Sequence, residues 1–383
     1  MIRIEEIRTV SALERYEKEW NYILGCASPL DFFHTYDWVY TWLKNFWQDR
    51  PLCFLLVREQ NRPFAIAPLL DDRKGDLWCR GSLVTPINGE AKRTSIILFN
   101  GVEKILESVF TFLKKTRGRV RLTLRNARKD SPLVFSMPKI AKKYHLSTCI
   151  SQRSSSPILR LNGTWSDYLN SKSRHFCKEL DRKSRLIERH GKADWYVVTN
   201  TNQVESAIEN FLAIEENSWK HKEGRSIAAR PLLTKFYKEF AVRCAEKGWL
   251  RMHFLSLNDI PIAYIYGLVF NNEYFALKTS YNEKYRHLSP GTVLFGYAIR
   301  DGFEKKLSTF DFLGGEDRWK NQFANDLRQH VDLCIFSDHD LKCRRCKFYN
   351  QDFKPFVRKR LPFVLEARRK IKLMREKPQA GTA

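Results

Sequence analysis

The residues best suited to chemistry in this chain stand between Asn282 and Lys320. There Tyr285-Arg286-His287-Leu288-Ser289-Pro290-Gly291-Thr292 leads out of an apolar strand pattern into a helical one. Serine is a favoured N-cap and proline a favoured first helical residue, because its absent N–H would go unpaired there anyway. Gly291 leaves no side chain between the helix start and whatever docks on it. Such a junction offers free amide hydrogens and the positive end of a helix dipole, which suits a phosphate. A plainly well-capped helix has the same sequence, so the surrounding elements must decide. Further on, Asp311, Glu316 and Lys320 place two carboxylates and an ammonium around Gly314-Gly315.

A second constellation is Cys343-Arg344-Arg345-Cys346 with His339 upstream. A structural zinc site takes four ligands, usually from two such pairs. Only one pair is visible, so two thiols in a basic tail is the simpler reading, and no metal is expected. The nine cysteines are odd in number, and Cys53, Cys79, Cys177, Cys244 and Cys334 sit in apolar segments. That usage fits reduced core thiols better than a disulfide framework.

The chain has 383 residues, enough for two domains, and an apolar fraction of 43% supplies real cores. A formal charge of +24 points to an anionic partner: nucleic acid, acidic lipid, a polyanionic glycan or a phosphorylated cofactor. The first residues, MIRIEEIRTV, lack the basic-then-apolar pattern of a signal peptide, and no apolar run approaches the roughly 20 residues of a membrane span. The expectation is a soluble, cytoplasmic protein.

The elements that position these residues read as a repeat. A strand (residues 3–9) precedes helices from Ser11 and over residues 36–47, the first opened by a Ser11/Glu14 capping box. Strands over residues 52–58, 64–70 and 77–83 then form a meander, followed by a helix (102–115) and a strand (119–124). The second half repeats the order: a strand (194–199), helices from Asn202 and over 232–247, and strands over 250–257, 262–270 and 273–281. These turn at Asn258-Asp259 and Asn271-Asn272, ahead of the helix after Ser289 and a strand over 309–313. Arg62-Pro63-Phe64-Ala65 and Ile260-Pro261-Ile262-Ala263 open corresponding strands. Between the copies lie a serine-rich linker (152–157) and one basic amphipathic helix (165–190). Residues 341–383 form a tail with 14 Lys+Arg against 3 Asp+Glu, able either to touch anionic lipid or to pack back on the body.

This order of elements resembles the acyl-CoA N-acyltransferase (GNAT) fold. It is most similar to the BioF2-like and CelD/BcsL-type acetyltransferases, relatives of the FemAB aminoacyl transferases. The resemblance covers residues 31–337 as a pattern. Its sharpest parts are Trp165-x-x-Tyr168 with Lys172 and Arg174, the Tyr285–Leu294 loop, and Phe310-Asp311-Phe312-Leu313-Gly314-x-Glu316-x-x-x-Lys320. In the loop Arg286 fills the first place of the family's Arg/Gln-x-x-Gly-x-Gly/Ala pattern, Ser289 replaces the first glycine, and Gly291 fills the last.

The implied class is α/β (α+β), with tandem GNAT-like domains, each a mixed, mostly antiparallel sheet flanked by helices, plus a basic C-terminal helical tail. The implied boundaries are 1–150 (a degenerate copy), 151–192 (linker and basic helix), 193–338 (acyltransferase domain) and 339–383 (tail). The resemblance implies acetyl-CoA or another acyl-CoA as co-substrate, held by Lys278, Thr279, Ser280, Arg286, Ser289, Gly291 and Thr292. Asp311 or Glu316 would be the base, Lys320 would stabilise the oxyanion, and Trp165, Tyr168, Lys172 and Arg174 would bind acceptor. The acceptor is an amine, with an amino sugar of cell-envelope or exopolysaccharide metabolism as the family-level expectation. The tail would contact an anionic inner membrane peripherally, and DNA is not expected as a partner. Two alternatives stay open: a FemAB-like enzyme using aminoacyl-tRNA, which the charge suits but no long coiled-coil arm accompanies, and a non-catalytic module docking on membrane or polyanion.

Overall fold

The computed structural model describes residues 2–27, 31–48, 50–72, 82–86, 93, 95–98, 101–153 and 155–337. The chain opens with β1 (Ile2–Ile7), α1 (Val10–Leu13), α2 (Glu17–Cys26) and α3 (Tyr36–Phe46). Short strands follow: β2 (Phe54–Glu59), β3 (Arg62–Ala67), β4 (Leu70–Asp72), β5 (Ser82–Val84) and β6 (Ile97–Leu98). The first half ends with α4 (Val102–Arg117), β7 (Arg121–Arg128), α5 (Pro132–Lys143) and β8 (Leu146–Gln152). Then come β9 (Ser156–Arg160), α6 (Trp165–Ser171), α7 (Arg174–Glu188), β10 (Ala193–Val198), α8 (Val204–Glu216), α9 (Trp219–Lys222) and α10 (Pro231–Glu246). A long meander of β11 (Met252–Leu257), β12 (Ile260–Phe270) and β13 (Glu273–Tyr281) leads to α11 (Pro290–Glu304). The last elements are β14 (Thr309–Asp311), α12 (Arg318–Phe323), β15 (Asp326–Arg328) and β16 (His330–Ser337).

These elements sort into two units that are not collinear with the sequence. Residues 31–48 join 155–329 in one unit, and 330–337 join residues 2–27 and 50–153 in the other. The boundaries expected from the sequence therefore need two corrections. Helix α3 leaves the first copy because its buried face, with Phe32 just before it, packs on α10: Trp38 lies 5.1 Å from Phe236 and 4.8 Å from Phe240, ring to ring. Strand β16 leaves the second copy because it inserts between β7 and β8, antiparallel to both. The tail and the Cys343/Cys346 pair lie outside the described residues.

The first unit holds a four-stranded sheet, β1-β2-β3-β6, and a five-stranded one, β4-β5-β7-β16-β8. Most of the third strand of its expected meander (77–83) lies outside the described residues. The partner of β3 is β6, over only Ala65–Leu98 and Ile66–Ile97, while β4 and β5 belong to the other sheet. Its core gathers Leu55, Val57, Ala65, Phe110, Leu122 and Ile335 among others.

The second unit is built on one seven-stranded sheet in the order β10-β11-β12-β13-β14-β9-β15. Asn258-Asp259 and Asn271-Asn272 have positive φ, which gives two-residue hairpin loops a twist that matches their strands. The first three strands of each unit share order and direction. Each has a bulge at the same place, where Arg58 faces Pro63 and Ser256 faces Pro261. The expected 165–190 helix is two helices, because Lys172 turns to extended backbone and the Ser173 hydroxyl caps α7 at the Phe176 N–H. The serine-rich linker shrinks to the gap between β8 and β9. No helix among the described residues is long and apolar enough to cross a membrane.

Candidate active site

The site originates in a mismatch between neighbouring strands. Strand β13 pairs with β12 along its full length, with a bulge where Tyr266 faces Lys278 but Gly267 faces Ala276. On its other edge β13 pairs with β14 in parallel over Glu273–Phe275 only. Beyond Asp311 the chain follows β9 instead, with the Phe312 N–H donating to the Pro157 carbonyl at 3.2 Å. Residues 276–281 are thereby left with one edge that no strand covers among the described residues.

Strand geometry fixes which groups face that edge. The Asn282 N–H donates to the Ile262 carbonyl, so Asn282 points toward β12. Backbone groups alternate along a strand, so Tyr281 and Thr279 direct their N–H and C=O to the open side. Lys220 Nζ occupies the Thr279 carbonyl there, at 2.6 Å.

A cavity of about 240 Å³ lies on this edge, lined by Trp219 and Lys220 of α9, Thr279, Ser280 and Tyr281 of β13, Gly291, Thr292 and Phe295 of α11, and Trp319 of α12. Two of these groups lack protein partners among the described residues. The Ser280 side chain is 5% exposed, yet its hydroxyl has no hydrogen bond. The Gly291 N–H, at the first turn of α11, has none among the described residues either. A buried hydroxyl without a partner costs about 1–3 kcal/mol, and both groups face space that a polar ligand can fill.

Four of the seven residues expected to hold a donor (Thr279, Ser280, Gly291 and Thr292) line this cavity. The other three do not. Lys278 lies over the Tyr237 ring at 5.6 Å, and Arg286 is exposed and pairs with Glu283 at 3.3 Å. Ser289 precedes α11 as expected, but its backbone is left-handed (φ 53°, ψ 47°) and its hydroxyl caps nothing. The Ser289 carbonyl instead accepts the Thr292 N–H at 3.0 Å. The helix start therefore offers Gly291 as its free donor, fewer than the sequence suggested.

The candidate catalytic residues build a turn. Asp311 is fully buried; Oδ2 accepts from Arg328 at 2.7 Å and Oδ1 from the Leu313 N–H at 2.9 Å. Arg328 also pairs with Glu273 at 2.9 Å. Lys320 is buried and donates to the carbonyls of Leu313 and Gly315 at 3.0 and 3.2 Å, with Asp317 at 2.7 Å. Together they fix the positive-φ turn at Leu313-Gly314 that sends the chain into α12 and presents Trp319. Glu316 is exposed on that turn.

The four expected acceptor residues also separate. Tyr168 is buried and donates to the Phe323 carbonyl at 3.0 Å. Lys172 Nζ donates to the carbonyls of Gln322, Phe323 and Ala324 at 2.9, 2.9 and 3.1 Å, and burial lowers its pKa. Both tie down the C-terminal end of α12. Trp165 stacks on Tyr168 at 5.3 Å and borders a second cavity of about 260 Å³ between α6, α7 and α11. Arg174 is exposed at the start of α7.

Sequence reading missed Lys220 and its partner Glu215. Glu215 is 1% exposed and accepts from Tyr264 Oη at 2.7 Å, the Ile227 N–H at 2.8 Å and Lys220 Nζ at 3.4 Å. Their five-residue spacing carries no motif; only the fold brings both to β13.

Residues 174–321 match the family described as "Acetyltransferase (GNAT) domain". That stretch contains β13, the open edge and α11, so the similarity to this family falls on the second unit and on the site just described. Among solved structures, the chain is similar to FemX at 11% identity, covering 88% of this chain and 98% of that one, with a TM-score of 0.57. It is likewise similar to the C-terminal domain (DUF2156) of a lysylphosphatidylglycerol synthetase from Agrobacterium fabrum. That match has 12% identity, covers 87% and 95% of the two chains, and gives a TM-score of 0.54. A tandem GNAT protein from the clavulanic acid biosynthesis pathway matches at 12% identity, over 89% and 100%, with a TM-score of 0.46. At such identities the first two likenesses concern the fold alone, a mixed α/β arrangement of helix-flanked sheets. No curated protein matches the sequence.

Proposed function

We propose that this chain is an N-acyltransferase that moves an acyl group, acetyl in the first instance, from acyl-CoA to an amine-bearing acceptor. An amino sugar of cell-envelope or exopolysaccharide chemistry is the acceptor class the BioF2-like and CelD/BcsL resemblance suggests. The observation that carries this reading is the uncovered edge of β13 facing the free Gly291 amide and the unpaired Ser280 hydroxyl across one cavity. A thioester carbon laid along that edge meets the N–H groups of Thr279 and Tyr281, which can polarise its carbonyl. The donor's phosphates then sit toward the helix start, where each exposed dipole contact contributes roughly 0.3–1 kcal/mol. Alignment of donor and acceptor contributes more, up to roughly 7–11 kcal/mol.

The attacking amine must lose a proton, since a lysine-like amine with a pKa of about 10.4 is mostly protonated at neutral pH. Asp311 and Lys320 have their polar atoms committed to the turn, so we assign them to shaping the site. Glu316, exposed beside the same turn, is the carboxylate left to accept the proton through water. In this reading the protein works in the cytoplasm with its basic tail against anionic lipid, and DNA is not a partner.

A second reading is a FemAB-like transferase fed by aminoacyl-tRNA, favoured by the fold likeness to FemX and the charge of +24. A third is a docking module without catalysis. Calorimetric titration with acetyl-CoA at moderate salt, followed by a thiol-release assay across a panel of amino sugars, separates them. Saturable binding that disappears when Ser289-Pro290-Gly291 is rebuilt supports the acyltransferase. Binding of aminoacyl-tRNA alone, or of anionic vesicles alone, overturns it.

A further inference from the structure

Among the described residues Lys220 is the one lysine lining the cavity, and the transfer outlined above gives it no task. We propose that Lys220 is a self-acylation site: without an acceptor, its amine takes the acyl group from the bound thioester, and the resulting amide closes the cavity. The inference rests on the donor reading of the preceding subsection.

The argument is positional first. Lys220 Nζ stands 2.6 Å from the Thr279 carbonyl, on the edge where the N–H groups of Thr279 and Tyr281 would hold the thioester. The N–H and C=O of one strand residue share an edge. A nucleophile bound to one is thus placed beside a thioester whose carbonyl oxygen the other holds, the neighbourhood that a reactive approach of roughly 3–3.5 Å requires. Trp219 and Trp319 wall the same space.

The surroundings also favour the neutral amine. Burial lowers the Lys220 pKa from the ordinary lysine value, and Lys278 and Arg225 push the same way, against the opposing pull of Glu215. Glu215, 3.4 Å away, can relay the departing proton, with Tyr264 Oη and the Ile227 N–H holding its carboxylate in place.

The step balances without a further reactant. Lys220 Nζ, having lost one proton to solvent, donates its lone pair to the thioester carbon and a C–N bond forms. The C–S bond breaks with its electron pair on sulfur. The proton released from nitrogen passes by way of Glu215 to the thiolate, giving free thiol and N-acyl-lysine. That amide does not turn over. It removes the charge facing Glu215 and leaves an acyl group where the next donor would bind, a brake on the enzyme when acceptor is scarce.

The test uses the whole chain with acetyl-CoA and no acceptor, read by intact mass and peptide mapping, with calorimetric titration of the same preparation. One acetyl increment is expected, on Lys220. It should form roughly tenfold or more faster than on exposed Lys305, as positioning requires. Its rate should saturate with acetyl-CoA, fall with added CoA, and rise with pH through the lowered pKa. Lys220→Arg should remove the increment at this position. Saturable donor binding with Lys220 unmodified, or modified no faster than Lys305, overturns the proposal. Absence of donor binding defeats the donor reading, and this inference with it.

Discussion

Replacing Asp311 by asparagine separates a structural from a catalytic carboxylate. Asp311 and Arg328 are both buried, 0% and 4% exposed at the side chain, and meet at 2.7 Å. Removing one partner of a buried ion pair costs about 3–5 kcal/mol, because the other charge is left without compensation. Here the loss is smaller. Arg328 keeps Glu273 at 2.9 Å, and an asparagine oxygen can still accept the Leu313 N–H. A loss of about 2–3 kcal/mol follows, toward or just below the low end of that range. For a unit of this size it lowers the melting temperature by about 4–12 °C. Chemical and thermal denaturation measure the loss, and kcat per folded molecule, taken well below the melting transition, measures the rest. On this reasoning kcat changes little. A variant that melts like the parent yet loses roughly 100- to 10,000-fold in kcat, the scale of a missing general base, refutes it.

Ser280→Ala should act with opposite signs in the two states. Removing an unpaired buried hydroxyl leaves the free protein as stable or more stable, by up to about 1 kcal/mol, while acetyl-CoA binds more weakly by calorimetry. Lys172→Met should cost about 1.5–3 kcal/mol, the worth of hydrogen bonds from a charged group, and weaken donor binding through α12. Unchanged melting with a raised acceptor KM would instead make Lys172 a substrate ligand. His253 is fully buried, bonded to Tyr274 Oη at 2.9 Å and Asp301 at 3.2 Å; burial lowers its pKa more than Asp301 raises it. The unfolded imidazole therefore binds its proton more readily. This contribution to stability is complete above about pH 6.5 and is lost as pH falls toward the folded pKa, by up to about 1.4 kcal/mol per pH unit. Denaturant melts between about pH 8 and pH 5 should show that slope, and His253→Gln should flatten it.

Local signals in the chain were legible and long-range ones were not. Asn258-Asp259 and Asn271-Asn272 announce hairpins because asparagine and aspartate tolerate positive φ, and Pro290-Gly291 announces α11. Those cues locate β13 and its neighbour helix, and so Thr279, Ser280, Gly291 and Thr292. The break at Lys172-Ser173 was hidden because the apolar line of residues 165–187 runs on across it. The exchange of α3 and β16 between units has no local mark, since an apolar stripe does not name its partner. Asp311 and Lys320 look catalytic in a linear reading. Only the register that sets Arg328 beside Asp311, and the turn that wraps carbonyls around Lys320, reveals how they are spent.

The two units share their first three strands, so what separates them is the fourth. Strand β13 has nine residues, and its parallel neighbour β14 has three before it turns to β9. The longer strand outruns the shorter, and the surplus length becomes an edge with donors and acceptors to offer. In the first unit β3 meets only Ile97 and Leu98 of β6, and among the described residues no long fourth strand outruns a parallel neighbour in that sheet. An uncovered edge inside a sheet is costly unless something pairs with it. In the second unit Lys220 pairs with part of it, and Ser280 and Gly291 remain unpaired beside it. That residual demand, rather than the count of charged residues nearby, is why we propose the donor site in this unit.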